Sequence, residues 1–273
     1  MKKLIFLILI VAISVSESCA NKKYNGTVVR FETNYGNIVV RLYPETAKHH
    51  DNFVKLVKSG FYNGVLFHRV IGDFMIQAGD PESKTAKPDA MLGSGDVGYT
   101  IPAEFVYPKY FHRKGALAAA RQGDQTNPQK ASSGCQFYIV QGKTFTDSQL
   151  DDIDRNNAQK LEGKLFQEIA KNKQDEINKY RTEQNKTKLD ALRDSVLAVV
   201  HTQMKAKPAL KLTPLQREEY KTIGGTPHLD GDYTVFGEVV EGMEVVENIS
   251  KVKTGANDRP VVDVRVIKAE VMK

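Results

Sequence analysis

The strongest structural signal in the sequence lies in residues 67 to 81, which read Phe67-His68-Arg69-Val70-Ile71-Gly72-Asp73-Phe74-Met75-Ile76-Gln77-Ala78-Gly79-Asp80-Pro81. Two apolar runs with β-branched residues flank the turn-forming pair Gly72-Asp73, which predicts a β-hairpin. Because side chains alternate along a strand, Met75 and Gln77 are expected on one face. With the guanidinium of Arg69 nearby, that face would suit an uncharged amide substrate with a compact apolar ring. The alternative is a core hairpin with one arginine that reaches solvent.

The same run resembles the active-site hairpin of the cyclophilins, a family of peptidyl-prolyl cis-trans isomerases whose motif has the form FHR, then FM, Q and GGD. Ala78 stands where the first glycine of that motif is usual. The resemblance covers about residues 27–144 and 224–272. It implies a mostly β fold, a closed antiparallel β-barrel capped by two helices. It also implies isomerisation of X–Pro bonds in proline-containing polypeptides, without a cofactor.

The resemblance assigns roles to individual side chains. Arg69 would be directed at the prolyl nitrogen, and Gln77 would help to position the substrate. The residues that the resemblance implies for substrate binding are Phe74, Met75, Ala120, Arg121, Gln136, Phe137, Tyr138, His228, Leu229 and Tyr233. Arg121 stands where many cyclophilins have asparagine, at a contact made through the backbone. His228 replaces a tryptophan that is associated with cyclosporin binding, and Tyr233 replaces a histidine.

Composition narrows the classes of ligand. The chain has 273 residues and a formal net charge of +6, with its lysines spread along the sequence rather than gathered in one stripe. That distribution argues against nucleic-acid binding. The two cysteines and six histidines show no spacing typical of metal ligands, so we expect no metal site.

The amino terminus predicts export. Two lysines precede a mostly aliphatic run over residues 4–15, which is typical of a signal peptide over residues 1–18. The next residue, Cys19, follows a serine in a setting that resembles a bacterial lipobox. A lipid on Cys19 would anchor a periplasmic protein to a membrane through a polar tether over residues 19–26. The alternative is cleavage by an ordinary signal peptidase, and either outcome leaves Cys135 without a disulfide partner.

A polar segment interrupts the cyclophilin-like sequence. We expect the first part of the cyclophilin-like domain over residues 27–145, a helical insertion over 146–223 and the second part over 224–273. Leucines and an isoleucine recur every four residues from Leu161, which indicates an amphipathic helix. Thr213-Pro214-Leu215-Gln216 has the form of a capping box with proline at the first helical position. The insertion is therefore expected to hold two long helices and a short one, either as a solvated spacer or as an arm that binds partners.

These observations favour an exported isomerase that assists folding of other exported proteins. The barrier to peptide-bond rotation is roughly 18–20 kcal/mol, and a cation aimed at the nitrogen would stabilise the twisted state more than the planar one. The alternative function is a protein without catalytic activity that binds proline segments, or a chaperone that acts through the helical insertion.

Overall fold

The computed structural model describes residues 25–272, so the expected signal peptide and Cys19 lie outside the described residues. In the described range, no helix combines the length and apolar character needed to cross a membrane. Cys135 is the free cysteine of that range, and it is buried. Burial raises the pKa of its thiol to about 11, so the side chain packs as a neutral group.

Within residues 25–272, ten strands form two sheets. In chain order the strands are β1 (Val28–Thr33), β2 (Gly36–Leu42), β3 (Phe67–Ile71), β4 (Met75–Ala78), β5 (Thr100–Ile101), β6 (Ala116–Ala119), β7 (Ser132–Ser133), β8 (Phe137–Val140), β9 (Val235–Glu241) and β10 (Val266–Val271). Eight of them make one antiparallel sheet in the spatial order β10-β1-β2-β9-β6-β8-β4-β3, and β5 pairs with β7.

The large sheet is strongly curled but does not close, which corrects the expectation of a closed barrel. Its edge strands, β3 and β10, are joined by a single bridge between Leu66 and Arg265. The ladder stops there because β3 carries a bulge between Phe67 and Arg69. A bulge disrupts continuous pairing and bends the strand, so the two edges separate beyond the bridge.

Two helices pack on this sheet, as expected: α1 (Ala47–Lys58) lies against β10, and α6 (Met243–Ser250) lies against β2, β3 and β4. The main core fills the space between them. At its centre the ring of Phe53 lies 5.1 Å from that of Tyr62 and 5.4 Å from that of Phe137. Such aromatic clusters contribute packing energy beyond the area that they bury.

Helix α1 receives its amino-terminal cap from a distant residue. Thr46 precedes the helix but makes no capping hydrogen bond through its side chain. Instead the carboxylate of Glu104 accepts hydrogen bonds from the backbone N–H groups of Lys48 and His49, at 3.1 and 3.0 Å. A negative charge at this end also interacts favourably with the helix dipole.

Four helices lie between β8 and β9 in the chain, one short helix more than the sequence suggested. They are α2 (Asp147–Lys171), α3 (Gln174–Thr182), α4 (Lys186–Ala206) and α5 (Pro214–Thr222). The capping box at Thr213 is present, because its hydroxyl accepts from the backbone N–H of Gln216, whose side chain in turn accepts from the backbone N–H of Thr213. Helix α5 ends just before Gly224, which has a φ of +87° that suits glycine.

The inserted helices have a base and a tip. At the base, Leu150 and Tyr220 are completely buried and share a small apolar cluster with Phe111 and Leu212. Towards the tip, α2 packs on α4 and α4 packs on α3. In that seam Leu161, Leu165 and Leu192 are only half-buried, whereas Val196 is buried. The expected apolar seam therefore closes mainly between helices of the insertion.

Candidate active site

Four neighbouring strands place a row of side chains on one face of the large sheet. Arg69 on β3 lies opposite Gln77 on β4, Gln77 lies opposite Tyr138 on β8, and Tyr138 lies opposite Ala118 on β6. Residues that face each other across an antiparallel ladder point to the same side of the sheet. The cation and the amide of the central hairpin are therefore brought together over an apolar floor.

Arg69, Gln77 and Tyr138 of this row line a groove of about 480 Å³. Met75, Tyr138 and Leu229 supply apolar lining, and Phe74 and Tyr233 supply aromatic edges. The residues lining the groove are His68, Arg69, Phe74, Met75, Gln77, Met91, Leu92, Gly93, Ala120, Arg121, Tyr138, Leu229, Tyr233, Asn257 and Asp258. Mostly apolar walls with a few polar groups are typical of a site that orients a small uncharged ring.

The bulge in β3 turns Arg69 towards a loop far along the chain. Nε of Arg69 donates to Oδ2 of Asp258 at 3.3 Å, and both side chains are a little under half exposed. The bond uses Nε, so the two terminal nitrogens of Arg69 keep their donors. Within residues 25–272, neither terminal nitrogen of Arg69 has a hydrogen-bond partner.

Gln77 is fixed by a second glutamine. Nε2 of Gln136 donates to the carbonyl oxygens of Gly93 and Gly95, at 3.0 and 2.8 Å, which leaves Oε1 of Gln136 as an acceptor. Nε2 of Gln77 donates to that oxygen at 3.0 Å. In the described part of the chain, Oε1 of Gln77 accepts no hydrogen bond, so it can accept one from a ligand.

The opposite rim is built from Arg121 and Tyr233. Nε of Arg121 donates to the carbonyl oxygen of Asp232 at 2.8 Å, and its guanidinium lies 4.3 Å from the centre of the Tyr233 ring. The carboxylate of Asp232 also pairs with Lys130 and with Lys160 of α2. The side chain of Arg121 is therefore turned into the rim, and the base of the insertion reaches the edge of the groove.

The comparisons with known proteins name the family. The sequence profile described as "Cyclophilin type peptidyl-prolyl cis-trans isomerase/CLD" matches residues 28–187 and 160–271. The chain belongs to the cyclophilin-type peptidyl-prolyl cis-trans isomerases. A Staphylococcus haemolyticus protein, provisionally named a peptidyl-prolyl cis-trans isomerase, is 32% identical to this chain over 241 residues. The match covers 88% of each chain. A Staphylococcus saprophyticus protein named in the same way is 30% identical over 256 residues, covering 93% of this chain and 96% of the relative.

A solved cyclophilin has the same fold. The crystal structure of a cyclophilin-type peptidyl-prolyl cis-trans isomerase from Cryptosporidium parvum superposes with a TM-score of 0.54. The two chains are 18% identical, and the match covers 91% of this chain and 99% of the other. At that identity the likeness establishes the fold and nothing finer.

Most of the site residues expected from the cyclophilin resemblance come together in the groove. Gln136 lines an adjoining groove of about 760 Å³, which shares Gln77, Ala120 and Arg121 with the first. His228 is exposed, and its ring stacks on Phe74 with the centres 5.6 Å apart. Phe137 does not line either groove, because alternation along β8 turns it into the core on the other face. We therefore remove Phe137 from the proposed site of this cyclophilin.

Several groove residues carry no sequence signal of their own. Met91, Leu92 and Gly93 come from a loop, and Asn257 and Asp258 come from the turn before β10. Both of the latter have positive φ, near 56°, which asparagine and aspartate tolerate better than most residues. Only His68, beside Arg69 in the motif, could have been suspected from the sequence. In the described residues, no cluster of three His, Cys, Asp or Glu side chains is arranged to hold a metal ion.

Proposed function

We propose that this cyclophilin isomerises X–Pro bonds in exported proteins by non-covalent catalysis, with Arg69 directed at the prolyl nitrogen. The observation that carries the proposal is the cross-strand pairing of Arg69 with Gln77 above Met75 and Tyr138. The groove brings a cation, an amide acceptor and an apolar floor within the reach of one dipeptide.

The chemistry needs neither a nucleophile nor a cofactor. Rotation about the X–Pro bond passes through a twisted state in which the nitrogen lone pair is no longer shared with the carbonyl. A guanidinium donor bonds that lone pair more strongly than it bonds the planar amide, and this difference lowers the barrier. The proline ring would rest on Met75, Tyr138 and Leu229 beside the ring of Tyr233. Oε1 of Gln77 would accept from a backbone N–H of the substrate.

Asp258 supports the arrangement by restraining the arginine. A free arginine side chain loses rotamer freedom when it is aligned with a substrate, at a cost of about 0.5–1.5 kcal/mol. The hydrogen bond from Nε to Asp258 already restricts the rotamers of Arg69, so less rotamer entropy is lost when the substrate binds. The two terminal nitrogens then remain for the prolyl nitrogen.

The location is proposed from the sequence alone. Residues 1–18 would direct export, and a lipid on Cys19 would hold the enzyme at a membrane of the periplasm. The clients would then be proline-containing proteins that fold after export. The competing function, binding of proline segments without catalysis, predicts that client binding survives loss of Arg69.

A protease-coupled isomerisation assay on a short X–Pro peptide tests the mechanism. Arg69→Ala should lower kcat/KM about 100-fold, the scale expected when a main transition-state donor is removed. Arg69→Lys should recover only part of the loss, because lysine lacks the planar fork. Arg30→Ala is the matched control, since Arg30 is also a strand arginine, 40% exposed and paired with a carboxylate. Turnover that survives in Arg69→Ala would rule the mechanism out.

A further inference from the structure

A buried chain of hydrogen bonds runs from the insertion to the groove. The hydroxyl of Tyr220, on α5, donates to Oδ2 of Asp230 at 2.6 Å. The other oxygen of Asp230 accepts from Nδ1 and from the backbone N–H of His112, both at 2.9 Å. Nε2 of His112 lies 3.0 Å from the hydroxyl of Tyr138, at the floor of the groove. The four side chains are almost completely inaccessible to solvent.

The direction of the hydrogen bonds to Asp230 follows from the chemistry of the groups. A carboxylate can only accept, so Nδ1 of His112 carries a proton and donates to Asp230, and the Tyr138 hydroxyl forms a hydrogen bond with Nε2 of the same ring. Burial raises the pKa of both Tyr138 and Tyr220 well above the ordinary value, so both hydroxyls stay protonated. Both oxygens of the Asp230 carboxylate therefore accept from a buried donor.

The same series of hydrogen bonds holds the short turn Pro227–Leu229, which carries Leu229. Asp230 follows this turn directly, and its backbone N–H donates to the carbonyl oxygen of Pro227. The backbone N–H of Thr226, just before the turn, donates to the carbonyl oxygen of His112 at 2.8 Å. His112 is thus bonded on one side to the groove floor and on the other to both ends of the turn.

We propose that Tyr220, Asp230 and His112 are positioning residues for the proline site, and that helix α5 of the insertion is part of the active-site support. The proposal rests on the proposed function, because it takes Tyr138 as the floor for the proline ring. Fixing the Tyr138 hydroxyl fixes the tilt of its ring, which packs edge-on against Tyr233 with the centres 6.0 Å apart. Two walls of the groove are then set by one hydrogen-bonded chain.

This series of hydrogen bonds is sensitive to the loss of any one of its side chains. Buried polar networks are stable only when every member is satisfied, and removing one hydroxyl leaves a carboxylate oxygen without its donor. In Tyr220→Phe, Asp230 would shift towards other donors, and His112 would move with it. The Tyr138 ring would then lose its fixed orientation, although the aromatic packing of residue 220 is kept.

A double-mutant cycle between Tyr220 and Tyr138 tests this coupling. Tyr220→Phe should lower kcat/KM for a short X–Pro peptide about threefold to tenfold and weaken peptide binding measured by NMR titration. In a Tyr138→Phe background the same change should have no further effect, because the chain is already broken at the groove. Additive effects, or an unchanged kcat/KM in Tyr220→Phe, would overturn the proposal.

Tyr107→Phe is the matched control. The hydroxyl of Tyr107 donates to Gln216 of the same helix at 3.2 Å but does not belong to the chain. Its loss should lower the melting temperature and leave kcat/KM unchanged. An equal loss of kcat/KM in both single variants would mean that any weakening of α5 lowers activity, and it would overturn the positioning role of the Tyr220 hydroxyl. If Tyr220→Phe is too unstable to assay, the cycle is run with Asp230→Asn under the same criteria.

The Arg69→Ala variant separates this proposal from the proposed mechanism. Retained turnover in Arg69→Ala would overturn the arginine mechanism, while the cycle could still be measured. Additivity in the cycle would overturn the positioning role and leave the arginine mechanism intact.

Discussion

Nε of Arg69 lies 3.3 Å from Oδ2 of Asp258, although the two residues are 189 positions apart in the chain. One belongs to the central hairpin and the other to the turn before β10, and both line the groove. The contact forms because the β3 bulge directs Arg69 across the open edge of the sheet, where the turn at Ala256–Asp258 packs on β3. The uncompleted barrel edge thus supplies a polar partner for the proposed catalytic arginine.

Asp258→Asn should lower kcat/KM about threefold, because a neutral acceptor holds the guanidinium about half as strongly as a carboxylate. The carboxylate also offsets part of the positive charge of Arg69, but in a pair this exposed, water screens that effect. The lost orientation of the Arg69 side chain should therefore affect kcat/KM more than the change in net charge at the site. The measurement is the protease-coupled assay at low and high salt, and the difference from the wild type should shrink as salt rises.

Asp73→Asn is the control for that change. Asp73 is an exposed aspartate with a φ of 58°, and Asp258 has nearly the same backbone conformation, with a φ of 57°. It should leave kcat/KM unchanged. An increase of kcat/KM in Asp258→Asn would mean that the carboxylate holds Arg69 away from the substrate.

Removal of the tip of the insertion should spare peptide isomerisation. The side chains of Glu162 on α2 and His201 on α4 lie 3.6 Å apart, so a short glycine–serine linker can replace residues 163 to 199 there. The base, with Leu150 and Tyr220, stays in place. We expect kcat/KM on a short peptide to remain within about threefold, because distant sites act nearly independently. Refolding of a large proline-limited client should slow more than that.

The matched comparison is a deletion of the whole insertion, residues 146–223, which also removes Tyr220. This deletion should impair the short-peptide assay as well, because it removes α5. Equal activity of the two deletions on the short peptide would argue against a supporting role for the base.

Acidification should destabilise the protein in part through His68. Burial lowers the pKa of His68, with the charge of Asp80 opposing the shift, and both ring nitrogens are buried without a partner in the described range. Below the ordinary histidine pKa of about 6.5, the unfolded chain therefore binds a proton that the folded protein does not. The stabilisation from neutral His68 is present above that pH and is lost as the pH falls below it.

The His68→Leu variant should lose less stability than the wild type between about pH 7 and pH 5, by thermal or urea unfolding. His201→Leu is the control, because His201 is 62% exposed. It should keep the wild-type dependence on pH. An unchanged pH dependence in His68→Leu would show that His68 does not contribute.

Lipidation is tested by a pair of cysteine variants. Metabolic labelling with a fatty acid should mark the wild type and Cys135→Ser, whose cysteine is buried, but not Cys19→Ser. Cys19→Ser should also leave the membrane fraction. Label that persists in Cys19→Ser would contradict the lipobox assignment.

Features that depend on near neighbours in the sequence could be predicted from local patterns of residues. The Gly72-Asp73 pair specified the hairpin, where Asp73 adopts the left-handed φ that such a turn needs. Alternation placed Met75 and Gln77 on one face, and the Thr213 capping box marked the start of α5. Alternation applied to β8 would also have separated Phe137 from Tyr138. The cyclophilin motif then connected these local elements to a function.

Contacts between residues far apart in the sequence depend on the tertiary fold and could not be predicted from local patterns. Glu104 caps α1, Asp258 meets Arg69, and Tyr220 reaches Asp230, yet none of these carboxylates stands in a recognisable local pattern. The open edge of the sheet beside Leu66 also depends on distant segments. A bulge in β3 affects whether β10, far along the chain, can pair with it. Local patterns specify the backbone over a few residues. Contacts between distant segments depend on how the whole sheet curls and on which loops it brings together.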